Sequence, residues 1–155
     1  MADRTPVMIG GCQCGAVRYA IYAEPASPSV CHCRMCQRAM GGPFLASASV
    51  KGPDFAWTKG QPTTFASSTK GLRDFCAVCG TPLAFRTPGS DEVDITIATL
   101  DDSHRVKPVR QIGIESMLPW VHELKSLPAK TTAENTGPAF LRDLVSYQRD
   151  SGEAG

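Results

Sequence analysis

Seven cysteines constrain this chain more than any other feature, because they form three short clusters that divide as four plus three. The clusters are Cys12-Gln13-Cys14, Cys31-His32-Cys33-Arg34-Met35-Cys36 and Cys76-Ala77-Val78-Cys79. Structural zinc is usually held by four protein ligands in a tetrahedron, whereas catalytic zinc keeps three and leaves one position for water or substrate. We therefore predict one complete four-thiolate site from the two pairs, and a second site, one ligand short, from the triplet.

Disulfides and an iron–sulfur cluster are the alternative uses of these cysteines. The odd cysteine count and the lack of an apolar signal segment in residues 1–11 argue against disulfides. Neighbours in a Cys-x-Cys pair also rarely meet the geometry of a disulfide bridge. Four cysteines can hold an iron–sulfur cluster, but the paired spacing is closer to that of a zinc ribbon. We expect a soluble, cytoplasmic protein that binds two Zn²⁺ ions.

Size and charge limit the remaining function classes. The chain has 155 residues, which is enough for a single domain, residues 1–155. Its formal net charge is +1, and ionised thiols with two Zn²⁺ ions would keep it near neutral. No basic stripe indicates a nucleic acid partner. No run approaches the roughly 18 apolar residues of a membrane span.

Short strand patterns recur along the chain between turn residues, among them 14 glycines and 12 prolines. The predicted strands are residues 16–22, 43–50, 55–57, 63–66, 72–75, 83–86, 93–99 and 109–114. The clearest alternation is that of residues 93–99. Residues 72–75 and 83–86 flank the third cysteine cluster, which predicts a zinc-ribbon hairpin. The predicted fold class is mainly β.

The only clear helical pattern comes late in the sequence, at residues 138–148. It places Phe140, Leu144 and Tyr147 on one stripe, and Pro138 suits the first turn of a helix. We interpret residues 125–137 as a linker and residues 151–155 as a disordered tail.

Glycine follows the last cysteine of both pairs, at Gly15 and Gly80. A metal knuckle turns the backbone sharply and directs N–H groups at the sulfurs, so we predict the positive-φ conformation at both glycines. A zinc ion held by Cys12, Cys14, Cys76 and Cys79 would close a loop of 61 residues between Cys14 and Cys76. Its binding energy would then contribute to folding, which is the behaviour of a structural metal.

Cys31, Cys33 and Cys36 lie within six residues, so they can surround a metal on one side only. Three interpretations stand: an open zinc site, a structural site closed by a further residue, or metal-free thiols. His32 is the nearest candidate for a further ligand, but it stands between two cysteines and is expected to point away. His104 and His122 are distant in sequence.

Charged and aromatic residues near the clusters could complete an active site. If they face the triplet, Arg34, Arg38, Lys70 and Arg73 could hold substrate carboxylates; otherwise they are solvated surface charges. Trp57 and Trp120 are expected in the core or a pocket wall. The ring of Trp120 could also cover the triplet and exclude water.

Four motifs resemble the glutathione-dependent formaldehyde-activating enzyme family, to which the centromere protein V domain belongs. They are Gly-Gly-Cys-x-Cys-Gly-Ala-Val-Arg-Tyr at 10–19, Cys-His-Cys-x-x-Cys at 31–36, Phe-Cys-x-x-Cys-Gly-Thr-x-Leu at 75–83, and Pro119-Trp120. The resemblance covers residues 8–124 and leaves 125–155 for the linker, the C-terminal helix and the tail. It implies a β-tent fold of small antiparallel sheets around a structural zinc.

The resemblance also implies roles for all seven cysteines. Positions matching Cys12, Cys14, Cys76 and Cys79 hold the structural zinc, and those matching Cys31, Cys33 and Cys36 hold the catalytic one. The implied reaction joins a thiol such as glutathione to an aldehyde, formally a carbon–sulfur lyase reaction in reverse. The alternative is a non-enzymatic zinc module that binds a partner or buffers metal, since a domain that needs zinc to fold need not use it chemically.

Overall fold

The computed structural model describes residues 4–149 and is built mainly of β-strands. The strands are β1 (Met8–Gly11), β2 (Arg18–Ile21), β3 (Ala26–Cys31), β4 (Leu45–Lys51), β5 (Phe55–Lys59), β6 (Thr63–Ser68), β7 (Gly71–Phe75), β8 (Pro82–Arg86), β9 (Glu92–Thr96) and β10 (Arg110–Ile112). The α-helices are α1 (Arg34–Met40), α2 (Thr132–Thr136) and α3 (Pro138–Asp143). Short 3₁₀ helices cover Gly52–Asp54, Ile97–Thr99, Ser103–Arg105, Ile114–Ser116 and Pro119–Ser126.

The strands form two sheets, which confirms the predicted fold class. The smaller sheet has the order β1-β2-β5 and is antiparallel. The larger sheet has the order β10-β3-β4-β9-β8-β7-β6. Its strands are antiparallel except for β10, which pairs with β3 in parallel. A parallel pair requires a long crossover connection, and here the chain between β3 and β10 includes most of the large sheet.

Apolar side chains from both sheets form a common core. Strand β2 is buried at every position, because it is the central strand of its sheet. Tyr19 and Ile21 contribute apolar surface, as the alternation predicts. Arg18 is buried as well, and its guanidinium pairs with Asp101 through two hydrogen bonds, one of them 2.9 Å long. A charged group is rarely buried without such a partner.

Each predicted strand segment contains a strand, but two end early: segment 109–114, whose strand stops at Ile112, and segment 93–99. The alternating segment 93–99 leaves the extended conformation at Thr96, and Ile97–Thr99 form a 3₁₀ turn. The hydroxyl of Thr99 donates to the carbonyl of Thr96 at 2.8 Å and closes that turn. The alternation of apolar and polar residues does not reveal such a local hydrogen bond. Strands β1 and β3 were not predicted, since neither alternates clearly.

Helix α1 contradicts the expectation that the only helix comes late. It directly follows the triplet and carries Cys36 within its first turn. It has only seven residues, which is too short for an apolar stripe to be recognised. The helix ends at Gly41, which has a φ of 60° and donates its N–H to the Gln37 carbonyl. The Gly41-Gly42 pair at this end is the one feature of the sequence that indicated the helix.

The C-terminal helix is shorter than predicted. α3 begins at Pro138 but stops at Asp143, and Leu144 is already extended. Phe140 and Leu144 are both 56 % exposed, so the predicted stripe has no core to stabilise further turns. The predicted linker contains α2, with a capping box between Thr131 and Glu134. The predicted tail, residues 151–155, lies outside the described residues, and the division at residue 124 stays a prediction.

None of the helices within residues 4–149 is long and apolar enough to cross a bilayer.

Candidate metal centres and the adjoining cavity

The fold brings the two outer cysteine pairs together. Cys12 and Cys14 follow β1, and Cys76 and Cys79 lie in the loop between β7 and β8. Their four sulfur atoms all lie within 4.8 Å of one another. The Sγ atoms of Cys12 and Cys14 are 3.6 Å apart, and those of Cys14 and Cys76 are 3.9 Å apart. Sulfurs bound to one tetrahedral zinc lie roughly 3.8 Å apart, so the cluster could hold a zinc ion without rearrangement.

All seven cysteines are free in this structure. Gly15 and Gly80 have φ values of 74° and 75°, as the knuckle interpretation predicts. The N–H of Gly15 donates to the Cys12 carbonyl at 3.0 Å, and that of Gly80 to the Cys76 carbonyl at 2.8 Å. The two knuckles therefore repeat the same turn at one sulfur cluster.

Hydrogen bonds prepare some of these thiols for the ionised form that binds metal. Burial raises the pKa of Cys79, but the hydroxyl of Thr81, 3.2 Å from its sulfur, and nearby N–H groups lower the pKa to about 6. Burial likewise raises the pKa of Cys12, but the Val17 N–H, 3.2 Å from the sulfur, and the thiols of Cys14 and Cys76 together outweigh burial, so the pKa is lowered. Metal binding needs thiolates, so these contacts favour occupancy of the site.

The C-terminal segment returns to the first knuckle. The backbone N–H of Arg149 donates to the Gln13 carbonyl at 2.6 Å, and the amide of Gln148 donates to the Gln13 side chain at 2.9 Å. The Arg149 side chain packs on Gly15, where an added Cβ would lie 3.0 Å from it. Its terminal guanidinium nitrogens are buried and have no hydrogen-bond partner within residues 4–149. The C-terminal segment therefore packs against the loop that carries Cys12 and Cys14.

The triplet forms a second sulfur cluster. Cys31 ends β3, Cys33 precedes α1 and Cys36 lies on α1. Their sulfurs also lie within 4.8 Å of one another, and the cluster includes no histidine, aspartate, glutamate or further cysteine from residues 4–149. The nitrogens of His32 are therefore not part of it. The described chain supplies three donors, so a metal there would keep a position for another ligand.

Neighbouring groups fix the backbone that carries the triplet. His32 is 1 % exposed, its Nε2 lies 2.8 Å from the Gln111 amide oxygen, and its backbone N–H donates to the Ile112 carbonyl. Gln37 is buried in α1, and its amide donates to the carbonyls of His32 at 2.7 Å and Ser116 at 2.8 Å. These contacts tie the triplet to β10 and to the 3₁₀ turn after it. The sequence offered no pattern by which Gln37 or Gln111 could have been recognised.

The three thiols of the triplet differ in acidity. Burial raises the pKa of Cys31 to about 12, and the thiols of Cys33 and Cys36 act in the same direction. Burial also raises the pKa of Cys33, but the N–H groups of Cys36 and Met35 and the adjacent thiols outweigh it, so the pKa is lowered. The pKa of Cys36 is raised by burial in spite of the Arg73 guanidinium. Cys33 is therefore the thiol that ionises first.

We predict that Gln37→Leu destabilises the triplet segment while leaving the β-sheets in place. Leucine fills the same space but leaves the carbonyls of His32 and Ser116 without a donor, and a buried unpaired group costs about 1–3 kcal/mol. The free energy of unfolding, measured by urea titration, should fall by about that amount. Gln61→Leu, at an exposed position between β5 and β6, is the control and should change it little. Equal effects of the two substitutions would contradict this role for Gln37.

Arg73 joins the triplet to a cavity. Its Nη2 lies 3.6 Å from the Cys36 sulfur, its Nε donates to the Ser67 hydroxyl at 3.1 Å, and its guanidinium stacks on the Phe85 ring at 5.0 Å from the centroid. Arg73 and Arg38 both line a cavity of about 720 Å³ between α1 and strands β6–β8. Of the four basic residues that the sequence singled out, these two face the site.

The other candidates lie elsewhere. Arg34 donates to the Gln37 side chain at 2.9 Å, and Lys70 is exposed. Trp57 packs against Tyr19 and Phe55, as expected of a core residue. Trp120 is 45 % exposed and is not among the residues of 4–149 that line the cavity, and its position over the triplet stays a prediction.

Comparisons with known proteins agree with this geometry. The family described as glutathione-dependent formaldehyde-activating enzyme matches residues 7–116. A Schizosaccharomyces pombe protein named as an uncharacterized lyase is 32 % identical over 80 residues, which cover 52 % of this chain and 58 % of the relative. A Rhodobacter sphaeroides protein of known crystal structure is 25 % identical, with a TM-score of 0.53 over 67 % of this chain and 99 % of that one. The chain is a member of the glutathione-dependent formaldehyde-activating enzyme family.

Proposed function

We propose that this protein is a zinc-dependent carbon–sulfur lyase that forms and cleaves adducts of a thiol with an aldehyde. The observation that carries the proposal is a three-thiol cluster without a fourth donor in residues 4–149, beside a cavity that Arg73 connects to it. In the forward direction the thiol sulfur bonds to the carbonyl carbon, and the carbonyl π electrons move to oxygen. The proton lost by the thiol balances the one gained by that oxygen.

The seven cysteines would hold two zinc ions with different roles, one structural and one catalytic. Cys12, Cys14, Cys76 and Cys79 would saturate one ion, which suits a structural role. Cys31, Cys33 and Cys36 would hold the other and leave a position open. A zinc ion with an open position keeps a bound thiol ionised at neutral pH or polarises a carbonyl oxygen.

The side chains around the triplet would position the reactants. Arg73 has five N–H donors, and its Nη1 donates to no residue of the described chain, so it can bind an oxygen that becomes negative in the reaction. Ser67 and the Phe85 ring hold the guanidinium in place, which limits its reorganisation. The cavity wall would keep thiol and aldehyde adjacent, and such proximity is a large part of the effect expected.

The substrates follow from the family name, which points to glutathione and formaldehyde. The match with the S. pombe lyase spans 58 % of that relative, so the substrate pair is proposed for this chain and not carried over as a fact. Seven free thiols suit a reducing compartment such as the cytoplasm.

The non-enzymatic alternative expects a closed second site or a triplet without a cavity. Neither expectation matches the three-donor cluster beside a cavity of about 720 Å³. Arg73, which contacts Cys36 and also lines the cavity, is a further feature that substrate binding would use. The enzymatic proposal is therefore favoured.

Magnetisation-exchange NMR tests the proposal directly. Glutathione and formaldehyde combine spontaneously with S-(hydroxymethyl)glutathione as product, and the protein with zinc at both sites should raise the exchange rate well above that background. Metal content is measured on the same sample, and a Cys33→Ala sample at equal concentration serves as the control. An unchanged exchange rate in the presence of zinc at both sites would reject this substrate pair.

A further inference from the structure

The cavity beside the triplet has an apolar wall that formaldehyde does not explain. Strand pairing places Phe65, Arg73 and Phe85 in one row across β6, β7 and β8, because Arg73 is the register partner of both phenylalanines. Register partners point to the same face of a sheet. Two aromatic rings therefore stand on either side of the arginine that contacts Cys36.

Helix α1 closes the opposite side of this cavity. Met35 and Ala39 lie on α1 next to the Cys36 turn and face the same space, and Leu45 lies beneath them on β4. Leu45 is also the register partner of Cys31, so the side chains of these two residues lie on the same face of the sheet. The cavity thus adjoins the triplet through Met35, Leu45 and Arg73, while none of the three cysteines is among the residues of 4–149 that line it.

Phe65 supplies a second, independent observation. It is 62 % exposed on the edge strand β6, where its ring adds little to folding stability. An exposed aromatic ring at the rim of a mainly apolar cavity that also holds a few polar groups is typical of a ligand-binding wall. The wall would bury one face of a guest and leave the cavity open to solvent at β6.

The size of the cavity exceeds what a one-carbon aldehyde occupies. Ligand pockets of drug-sized molecules run from about 300 to 1,000 Å³, and this cavity, at about 720 Å³, lies well inside that range. Formaldehyde has a single carbon and no apolar group to bury, and glutathione, which is large enough to occupy part of this volume, is a charged tripeptide without a large apolar side chain. Much of the apolar wall would then contact water or polar groups, which is unfavourable for apolar surface.

We propose that the cavity binds an apolar, preferably aromatic, substituent of the thiol–aldehyde adduct, while Arg73 and Arg38 take its anionic or oxygen-bearing groups. This inference rests on the proposed function and names its substrate class: hemithioacetals with a bulky apolar group, contributed by either the aldehyde or the thiol. Burying a phenyl ring should lower KM or Kd roughly 10- to 100-fold relative to the methyl analogue.

Binding of an unreactive probe pair tests the cavity without relying on catalysis. (Benzylthio)acetate and (methylthio)acetate differ only in the phenyl ring, and the zinc-containing protein should bind the first at least tenfold more tightly by calorimetry. Ala39→Phe fills the cavity and should remove the difference. Ala66→Phe adds the same ring at an exposed position outside the cavity and should preserve it. Phe65→Ser, at an exposed site, should weaken the preference even if Ala39→Phe fails to fold.

Exchange NMR then separates this inference from the proposed function. The pairs are glutathione with formaldehyde, glutathione with phenylacetaldehyde, and phenylmethanethiol with formaldehyde. A lower KM for one of the aromatic pairs supports the inference and identifies which reactant carries the apolar group. Acceleration of formaldehyde with glutathione alone, together with equal binding of the two probes, would overturn the inference and leave the lyase proposal intact. Selective probe binding without any acceleration would overturn the lyase proposal and leave the apolar site in place.

Discussion

Replacement of Cys79 by alanine is expected to unfold the protein, whereas Cys33→Ala should leave it folded with one zinc ion in place of two. Cys79 lies in the β7–β8 loop and its sulfur meets those of Cys12, Cys14 and Cys76, so its cluster ties the end of β1 to the large sheet. A structural zinc supplies about 10–16 kcal/mol of apparent binding energy. That is comparable with the whole stability of a domain, about 5–15 kcal/mol, so a weakened site is not compensated elsewhere.

Cys33 has a different structural environment. It lies between β3 and α1, and the segment around it is also held by Gln37, by His32 and by the pairing of Cys31 with β4 and β10. Loss of one thiol there should release the second metal and abolish exchange activity without removing those contacts.

Metal analysis, circular dichroism and thermal unfolding of both variants test whether the two clusters have different roles. The expected result is a native spectrum and one zinc ion for Cys33→Ala, and aggregation or a coil spectrum for Cys79→Ala. Val78→Ala, an exposed position within the same knuckle, controls for disturbance of the loop itself. Equal collapse of the two cysteine variants would show that both clusters are structural.

The sequence predicted the sulfur clusters because the relevant information is local. Two thiols two or three residues apart, followed by a glycine, specify a tight turn, and Gly15 and Gly80 adopt the expected positive φ. The β7–β8 hairpin was predictable for the same reason, since its strands directly flank Cys76 and Cys79. Assigning the two cysteine pairs to one site required only the expectation that a structural zinc binds four ligands.

The cavity was not predictable, because strand register and sheet order create it. Phe65, Arg73 and Phe85 are separated by several residues each in the chain and become a row only when β6, β7 and β8 pair. Asp74 illustrates the same limit, since its buried carboxylate accepts hydrogen bonds from Arg86 on β8 and Thr64 on β6 and holds the three strands together. Helix α1 was missed because seven residues carry too little periodicity.

Arg73→Met is expected to lower kcat of the exchange reaction by about 10²- to 10³-fold, the usual loss when one donor to a developing oxyanion is removed. Methionine retains the apolar stem against Phe85 but loses the positive charge beside Cys36 and the bond to Ser67. Arg73→Lys restores charge without the planar fork and should recover part of kcat. Lys59→Met, an exposed position on β5 in the other sheet, removes the same charge and should leave kcat unchanged.

The split between kcat and KM decides what Arg73 does. A residue that stabilises charge only in the transition state lowers kcat, whereas one that holds a substrate carboxylate in both states raises KM alone. Zinc content must be equal in all samples, since Arg73 also offsets the charge of the Cys36 thiolate and its loss could release metal. With equal zinc, a pure KM effect would assign Arg73 to substrate carboxylate binding. An unchanged kcat and KM would remove it from the active site and leave the hydrogen bond to Cys36 as a structural contact only.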